Sequence, residues 1–254
     1  MILAVDIGNT QTVLGLIGDD GPVARWRVST DPVLTADEIR VRIGGLFAMD
    51  EQGWTEVERV VISSVVPTLT AAYEELALRA TGIAPLVVGP GMKTGMPISY
   101  ENPREVGADR IVNAIAAVER FGAPVIVVDL GTATTLDVID ATGAYLGGSI
   151  APGLETSAAA LFSRAARLTA VDLESPERVI GRNTRESVQA GLLMGHAAMI
   201  DGLVQRTWDE LGGPCTVVAT GGLAEQIAPL TTTLDEVDDD LTLEGLALVW
   251  RRNV

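Results

Sequence analysis

Two acidic residues, Asp6 and Asp129, each end an apolar run and are followed by a glycine two positions on. The first segment reads Ile2-Leu3-Ala4-Val5-Asp6-Ile7-Gly8-Asn9-Thr10, and the second Val125-Ile126-Val127-Val128-Asp129-Leu130-Gly131-Thr132. A tight Asp-x-Gly turn brings backbone N–H groups close to a phosphate, and its carboxylate can hold a hydrated cation alongside. Both segments continue into a second apolar run, Thr12 to Ile17 and Thr134 to Ile139. Both then reach a turn signal, Asp19-Asp20-Gly21 and Asp140-Ala141-Thr142-Gly143. The repetition predicts two duplicated halves, each opening with a β-hairpin, and a nucleotide cleft between two similar domains.

The elements that must carry these turns follow from local signals. Val23 to Thr30 reads as a third strand, and Thr35-Ala36-Asp37-Glu38 is a capping box that opens a helix to about Ala48. Arg59 to Val65 reads as a buried strand. Pro67 starts a helix ending near Gly82, and Leu86 to Val88 is a short strand. Residues 89–107 form a long loop rich in glycine and proline, a length often functional in a compact domain. Ala108 to Phe121 reads as a helix stopped by Gly122. After the second Asp-x-Gly unit come a strand near Ala144 to Ile150 and a helix whose entry is bracketed by Gly147-Gly148 and Pro152-Gly153. Asn183-Thr184-Arg185-Glu186 opens a helix reaching Leu211. Thr216 to Ala219 is a strand turned by Thr220-Gly221-Gly222, and a last helix spans about Thr242 to Arg252. Strand triplets alternating with helices predict an α/β fold.

A chain of 254 residues that is 47% hydrophobic can fill one large core or two small ones. One cysteine excludes an intrachain disulfide and suits a reducing compartment. The short N-terminal strand without a basic leader, and the lack of a membrane-length apolar run, give the expectation of a cytoplasmic protein. The net charge of −16, from 18 basic and 34 acidic residues, disfavours nucleic acid and anionic membranes as partners. A phosphorylated ligand then needs local positive potential from oriented N–H groups, Mg²⁺ and a few arginines. Lys93 is the lone lysine, and Met92 stands where a P-loop requires glycine, so the P-loop class is set aside and Lys93 is expected in a solvated loop. His196 lies within a predicted helix beside Gly195 and Ala197 and is expected to be structural. Cys215 is expected to pack as a small apolar residue. The run Asp235 to Asp240 is expected to be a solvated turn capping the last helix.

The tandem Asp-x-Gly hairpins and the late Thr-Gly-Gly turn resemble the actin-like superfamily of sugar kinases and chaperone ATPases. Finer motifs are similar to those of type III pantothenate kinases: Asp6-Ile7-Gly8-Asn9-Thr10, Asn102 to Arg110, Asp129-Leu130-Gly131-Thr132-Ala133-Thr134, Gly147 to Gly153, and Gly181-Arg182-Asn183-Thr184. The match runs from residue 1 to the final helix, and Gly107-Ala108-Asp109-Arg110 is its most specific part. It implies an α/β fold of two duplicated ribonuclease-H-like (actin-like) domains flanking a nucleotide cleft, expected at residues 1–107 and 108–254.

The resemblance further implies ATP-dependent phosphorylation of pantothenate, the first step of coenzyme A biosynthesis, by a homodimer with a pocket near the dimer interface. ATP would meet Asp6, Ile7, Gly8, Asn9, Thr10, Gln11, Thr12 and Val13, with Thr132 on the other side. Pantothenate would meet Tyr100, Gly107, Ala108, Asp109, Arg110 and Thr184. Asp129 would hold K⁺ or NH₄⁺, and Asp6 would hold Mg²⁺ through water. Asp109 would be the catalytic base: phosphoryl transfer needs a proton acceptor, and a carboxylate beside Arg110 at a helix start can supply it. The plainer role for Asp109 is a first-turn acid paired with Arg110, and for Arg110 a surface ion pair rather than an anchor for a carboxylate or phosphoryl group. Two rival functions share the fold: a kinase for another small hydroxylated substrate, and a non-catalytic regulatory protein.

Overall fold

The structure is a computed structural model that describes residues 1–254 except 20, 166, 167 and 169; Asp20 of the first turn signal therefore lies outside the described residues. The chain divides into two compact units, Met1–Ala116 with Asp240–Val254, and Ala117–Asp239.

The first unit holds a five-stranded sheet of order β3-β2-β1-β4-β5. Its strands are β1 (Ile2–Ile7), β2 (Gln11–Ile17), β3 (Pro22–Ser29), β4 (Arg59–Ser64) and β5 (Leu86–Val87). β1 pairs antiparallel with β2 and parallel with β4, placing Asp6 beside Val13 and Ser63. Helix α1 (Ala36–Met49) opens on the expected capping box, with the Glu38 N–H donating to Thr35 Oγ1 at 3.3 Å and the Thr35 N–H to Glu38 Oε2 at 2.9 Å. It buries Ile39, Ile43 and Phe47 along one face. Helix α2 (Pro67–Thr81) starts on its proline and ends at Gly82 with φ 73°. Leu3, Val5, Ile7 and Ile62 pack with Ile39, Phe47, Leu69 and Tyr73, so the odd-numbered side of β1 faces these two helices.

On the opposite side lies α8 (Leu241–Asn253), which packs on β1, β2 and β4. Two glycines set this approach. A Cβ at Gly15 would stand 2.7 Å from Leu243, and one at Gly245 would stand 2.1 Å from the carbonyl oxygen of Val112 in α3 (Ala108–Phe121). The expected division at 107/108 precedes α3, whereas the contact boundary crosses it and returns the last helix to the first unit. These contacts link residues far apart in sequence, so local pattern does not reveal them.

The second unit repeats the first. Its sheet runs β10-β9-β6-β7-β8, with β6 (Val125–Leu130), β7 (Ala133–Ile139), β8 (Tyr145–Pro152), β9 (Thr216–Thr220) and β10 (Glu236–Val237). β1 and β6 share one burial pattern, in which only the aspartate is partly exposed. The β2–β3 and β7–β8 pairings each carry a register shift, at Leu16/Ile17 and at Val138/Ile139. Among the described residues no helix is long and apolar enough to cross a membrane.

Gly147 and Gly148 lie inside β8, the strand expected near Ala144 to Ile150, where a Cβ on Gly148 would overlap the carbonyl of Leu136 on β7. Two local expectations change. The helix expected from Asn183 is interrupted: α5 (Thr184–Gln189) passes through a π turn at Ala190–Met194 into α6 (Gly195–Leu211). The acidic run is no simple solvated cap. Asp235 accepts from the Val217 N–H at 2.9 Å, Glu236–Val237 form β10, and buried Asp238 meets Arg120 at 2.8 Å. Asp240 does occupy the N-cap position of α8, but its side chain makes no capping hydrogen bond. Carboxylates that pair with N–H and guanidinium groups can leave solvent.

Two glycine substitutions separate packing from propensity. Gly245→Ala forces a methyl group against the Val112 carbonyl and should lose roughly 1–3 kcal/mol. Gly202→Ala, exposed in the interior of α6 with open space around it, should gain about 0.5–1 kcal/mol. Urea unfolding of both variants checks the opposite signs.

Candidate active site

In the first unit, β1 ends at Ile7, one residue past Asp6, and turns at once. The Gly8 N–H donates to the Gln11 carbonyl at 3.0 Å, and a Cβ at Gly8 would lie 2.9 Å from that oxygen. The turn is held by Thr30, the residue just past β3, which the sequence did not single out. Its Oγ1 donates to the Gly8 carbonyl at 2.8 Å, its N–H donates to the Thr10 carbonyl at 2.9 Å, and its hydroxyl meets Thr12 Oγ1 at 2.9 Å. Arg27 donates to Gln11 Oε1 at 2.7 Å. Asn9, Thr10 and Gln11 are thereby exposed at the tip, while Ile7 and Thr12 are buried and offer a ligand only their backbone.

The same unit holds the start of α3. Asp109 bends back so that its Oδ1 accepts the Arg110 N–H at 2.8 Å. A Cβ on Gly107 would stand 2.3 Å from that carboxylate oxygen, so glycine at 107 makes room for it. Arg110 is buried. The loop leading here carries half-buried Tyr100 and a short 3₁₀ turn, Pro103–Glu105, whose preceding Asn102 donates to Glu105 at 2.7 Å. Its near end is fastened to α8. Asn253 Oδ1 accepts the Lys93 N–H at 3.0 Å, Asn253 Nδ2 donates to the Lys93 carbonyl at 3.0 Å, and Arg252 donates to the Thr94 carbonyl. The Lys93 side chain itself is exposed.

The second unit builds its turn on the same plan. The Gly131 N–H donates to the Ala133 carbonyl at 3.1 Å. The Thr132 carbonyl accepts the Gly153 N–H at 3.1 Å and Thr156 Oγ1 at 2.7 Å. A Cβ on Gly153 would lie 2.3 Å from the Gly131 carbonyl oxygen. Gly221, with φ 96°, comes so close that its Cβ would stand 2.6 Å from Asp129 Oδ1. Thus Gly153, just past β8, closes on the Gly131–Thr132 turn, and the Thr-Gly-Gly turn closes on Asp129. Thr184 is exposed at the head of α5, below a cap in which Asn183 Oδ1 accepts the Glu186 N–H at 2.9 Å. It lines a cavity of about 630 Å³ with Leu161, Arg182, Val188 and Leu192.

Comparisons with known proteins agree with this plan. The model of the family described as type III pantothenate kinase matches residues 2–206. The type III pantothenate kinase of Geobacter sulfurreducens is 50% identical over 253 residues, covering 100% of this chain and 99% of that protein. That of Moorella thermoacetica is 50% identical, with 100% of both chains covered. The chain belongs to the type III pantothenate kinase family. A solved structure, the activator of 2-hydroxyisocaproyl-CoA dehydratase from Clostridium difficile, is similar at TM-score 0.58 and 16% identity, covering 97% of this chain and 92% of that one. At that identity it shows the fold alone.

In this chain, Asp6 to Val13, Tyr100 and Gly107 to Arg110 lie in the first unit, and Asp129, Thr132 and Thr184 lie in the second. Among the described residues there is no group of three or more His, Cys, Asp or Glu able to cage a metal. Asp6, partly exposed at the end of β1, offers a single carboxylate, the donor chemistry by which Mg²⁺ is usually held through water beside substrate phosphates. Thr30, Gly153 and Thr156 are the turn-holding residues outside the predicted site set. A hydroxyl repeated at Thr30 gave no periodic signal, because its role depends on β3 lying against β2.

His196 is buried, and its Nε2 meets Thr134 Oγ1 at 2.9 Å on the strand leaving the second turn. It is structural, as expected, though not in contact with a predicted site residue. Cys215 packs against the second core, where burial pushes its thiol up. Burial likewise pushes the His196 imidazole below its ordinary value of 6.5. A depressed folded value means that stability is full above pH 6.5 and is lost as pH falls from there toward the folded value. With one histidine in the chain, little else titrates between about pH 5.5 and 7.5. The melting temperature should therefore fall as pH is lowered below 6.5. His196→Gln should flatten this slope, as thermal melts at matched ionic strength will register.

Proposed function

We propose that Asp109 is the base with which this chain phosphorylates pantothenate, using ATP, in the first step of coenzyme A biosynthesis. The observation that carries the assignment is the clearance at Gly107, which lets the Asp109 carboxylate fold over the first turn of α3 beside buried Arg110. The primary hydroxyl oxygen of pantothenate attacks the γ-phosphorus as its proton passes to an Asp109 oxygen. The bond from that phosphorus to the ADP oxygen breaks, and ADP leaves with the electron pair. The backbone N–H groups of the Asp6–Val13 turn face the phosphates, and the exposed tip residues Asn9 to Gln11 offer side-chain contacts. Mg²⁺ held through water at Asp6 supplies neutralisation of phosphate charge. Tyr100, Ala108, Arg110 and Thr184 orient pantothenate; Arg110 suits its carboxylate because a guanidinium binds carboxylates in a fixed fork. Thr132 meets the nucleotide, and Asp129 holds K⁺ or NH₄⁺.

Asp109→Asn keeps size and most hydrogen bonding while removing the basic oxygen. kcat should fall about 10²–10⁴-fold with melting temperature and ATP affinity near wild type. Full activity in this variant would remove the base assignment, and a matching loss of folding would return Asp109 to a helix-start role.

The cation reading has its own test. Phosphorylation measured with Mg²⁺ in Na⁺, K⁺ and NH₄⁺ buffers of equal ionic strength should be strongly activated by K⁺ or NH₄⁺ and little by Na⁺. Asp129→Ala should lose that response. Equal rates in all three buffers would leave Asp129 as a turn residue.

A further inference from the structure

Ser63 is fully buried, and its Oγ has no hydrogen-bond partner among the described residues. A buried hydroxyl left in that state destabilises a fold, and alanine would fill the same place without the penalty. The next residue shows the contrast. Ser64 Oγ accepts the Val66 N–H at 3.1 Å and the Thr70 hydroxyl at 2.8 Å, so it shapes the entry to α2. Ser63 has no such local use.

Its position points to one. Ser63 on β4 is the register partner of Asp6 on the parallel strand β1. Register partners project to one side of a sheet. Leu3, Val5, Ile7, Val60 and Ile62 face α1 and α2, so Asp6 and Ser63 share the other side. Both stand at the carboxyl ends of parallel strands, where open α/β sheets bind ligands. The second unit repeats the device, since Asp129 on β6 is the register partner of buried Thr220 on β9. Each Asp-x-Gly aspartate thus has a buried hydroxyl residue beside it on the neighbouring parallel strand.

We propose that Ser63 is a positioning residue for Asp6: through one bridging water its hydroxyl fixes the carboxylate in the orientation that receives hydrated Mg²⁺ with the nucleotide. This rests on the assignment of Asp6 to Mg²⁺ given above. Ser63 touches neither substrate. Its effect therefore belongs to metal-dependent nucleotide binding and not to pantothenate.

The test compares Ser63→Ala, Ser63→Thr and Asp6→Asn. Three quantities are measured: the melting temperature without ligand, the calorimetric affinity for a non-hydrolysable ATP analogue with Mg²⁺ and with EDTA, and steady-state kinetics. Ser63→Ala should melt at or above the wild-type temperature. Its Mg²⁺-dependent affinity should weaken about tenfold, the scale of losses when a group supporting a metal ligand is removed. Affinity in EDTA and KM for pantothenate should not change. Ser63→Thr, which restores the hydroxyl in the form found at the matching position 220, should recover the Mg²⁺ dependence. Wild-type Mg²⁺ dependence in Ser63→Ala beside an impaired Asp6→Asn would overturn the role of Ser63 alone. Wild-type behaviour of Asp6→Asn would overturn the Asp6 assignment and this inference with it. A lowered melting temperature with equal loss of every affinity would make Ser63 a packing residue.

Discussion

A carboxylate at the end of a buried strand, followed within two residues by a reversal of the chain, is the constraint on which this molecule is built. The reversal closes on an N–H that reaches a carbonyl a few residues on, as Gly8 does to Gln11 and Gly131 to Ala133. A side chain at Gly8 would press on the accepting oxygen. Once the turn is closed, its N–H groups and its aspartate share one end of the sheet, where a phosphate and its cation can be met together. Each unit then braces the turn in its own way. The first uses the three contacts of Thr30. The second uses the close approach of Gly153 and Gly221 and the hydroxyl of Thr156.

Long-range packing sets the other half of the first unit's site. The last helix comes back onto the first sheet because Gly15 and Gly245 leave space for Leu243 and for the Val112 carbonyl. Its final residues then hold the loop from Lys93 onward through Asn253 and Arg252. A loop with so little regular structure has few internal contacts to order it, so anchors at its near end and at the head of α3 decide where Tyr100 and Asp109 stand. Residues separated by most of the chain thereby position adjacent parts of the loop.

The electrostatics follow from a chain with a net charge of −16. Acidic groups enter the interior only where donors meet them. Buried Asp137 accepts the Tyr145 hydroxyl at 2.7 Å and the Thr135 hydroxyl at 3.0 Å. Asp238 takes Arg120 in the same way. The single lysine is exposed on a loop, while Arg110 is buried at the start of α3.

By itself the sequence determined the duplicated hairpins, the capping box at Thr35, the proline start and glycine stop of α2, and the extent of α3. These are local matters, set by apolar periodicity, the rigidity of proline and the freedom of glycine at positive φ. It also carried the family, because Gly107-Ala108-Asp109-Arg110 and the two Asp-x-Gly turns stand at their required spacing. Tertiary structure alone decided what holds those turns. Thr30 and Thr156 act across strands or between a strand and a helix, and nothing in their own neighbourhood marks them; Gly153 was marked locally only as part of a helix entry. It alone placed α8 on the first sheet, set a π turn within the helix after Gln189, and drew part of the acidic run into β10 and the core. The reason is common to all of these. Each depends on which distant backbone or donor comes within hydrogen-bond or van der Waals reach, and that distance exists only once the chain has folded.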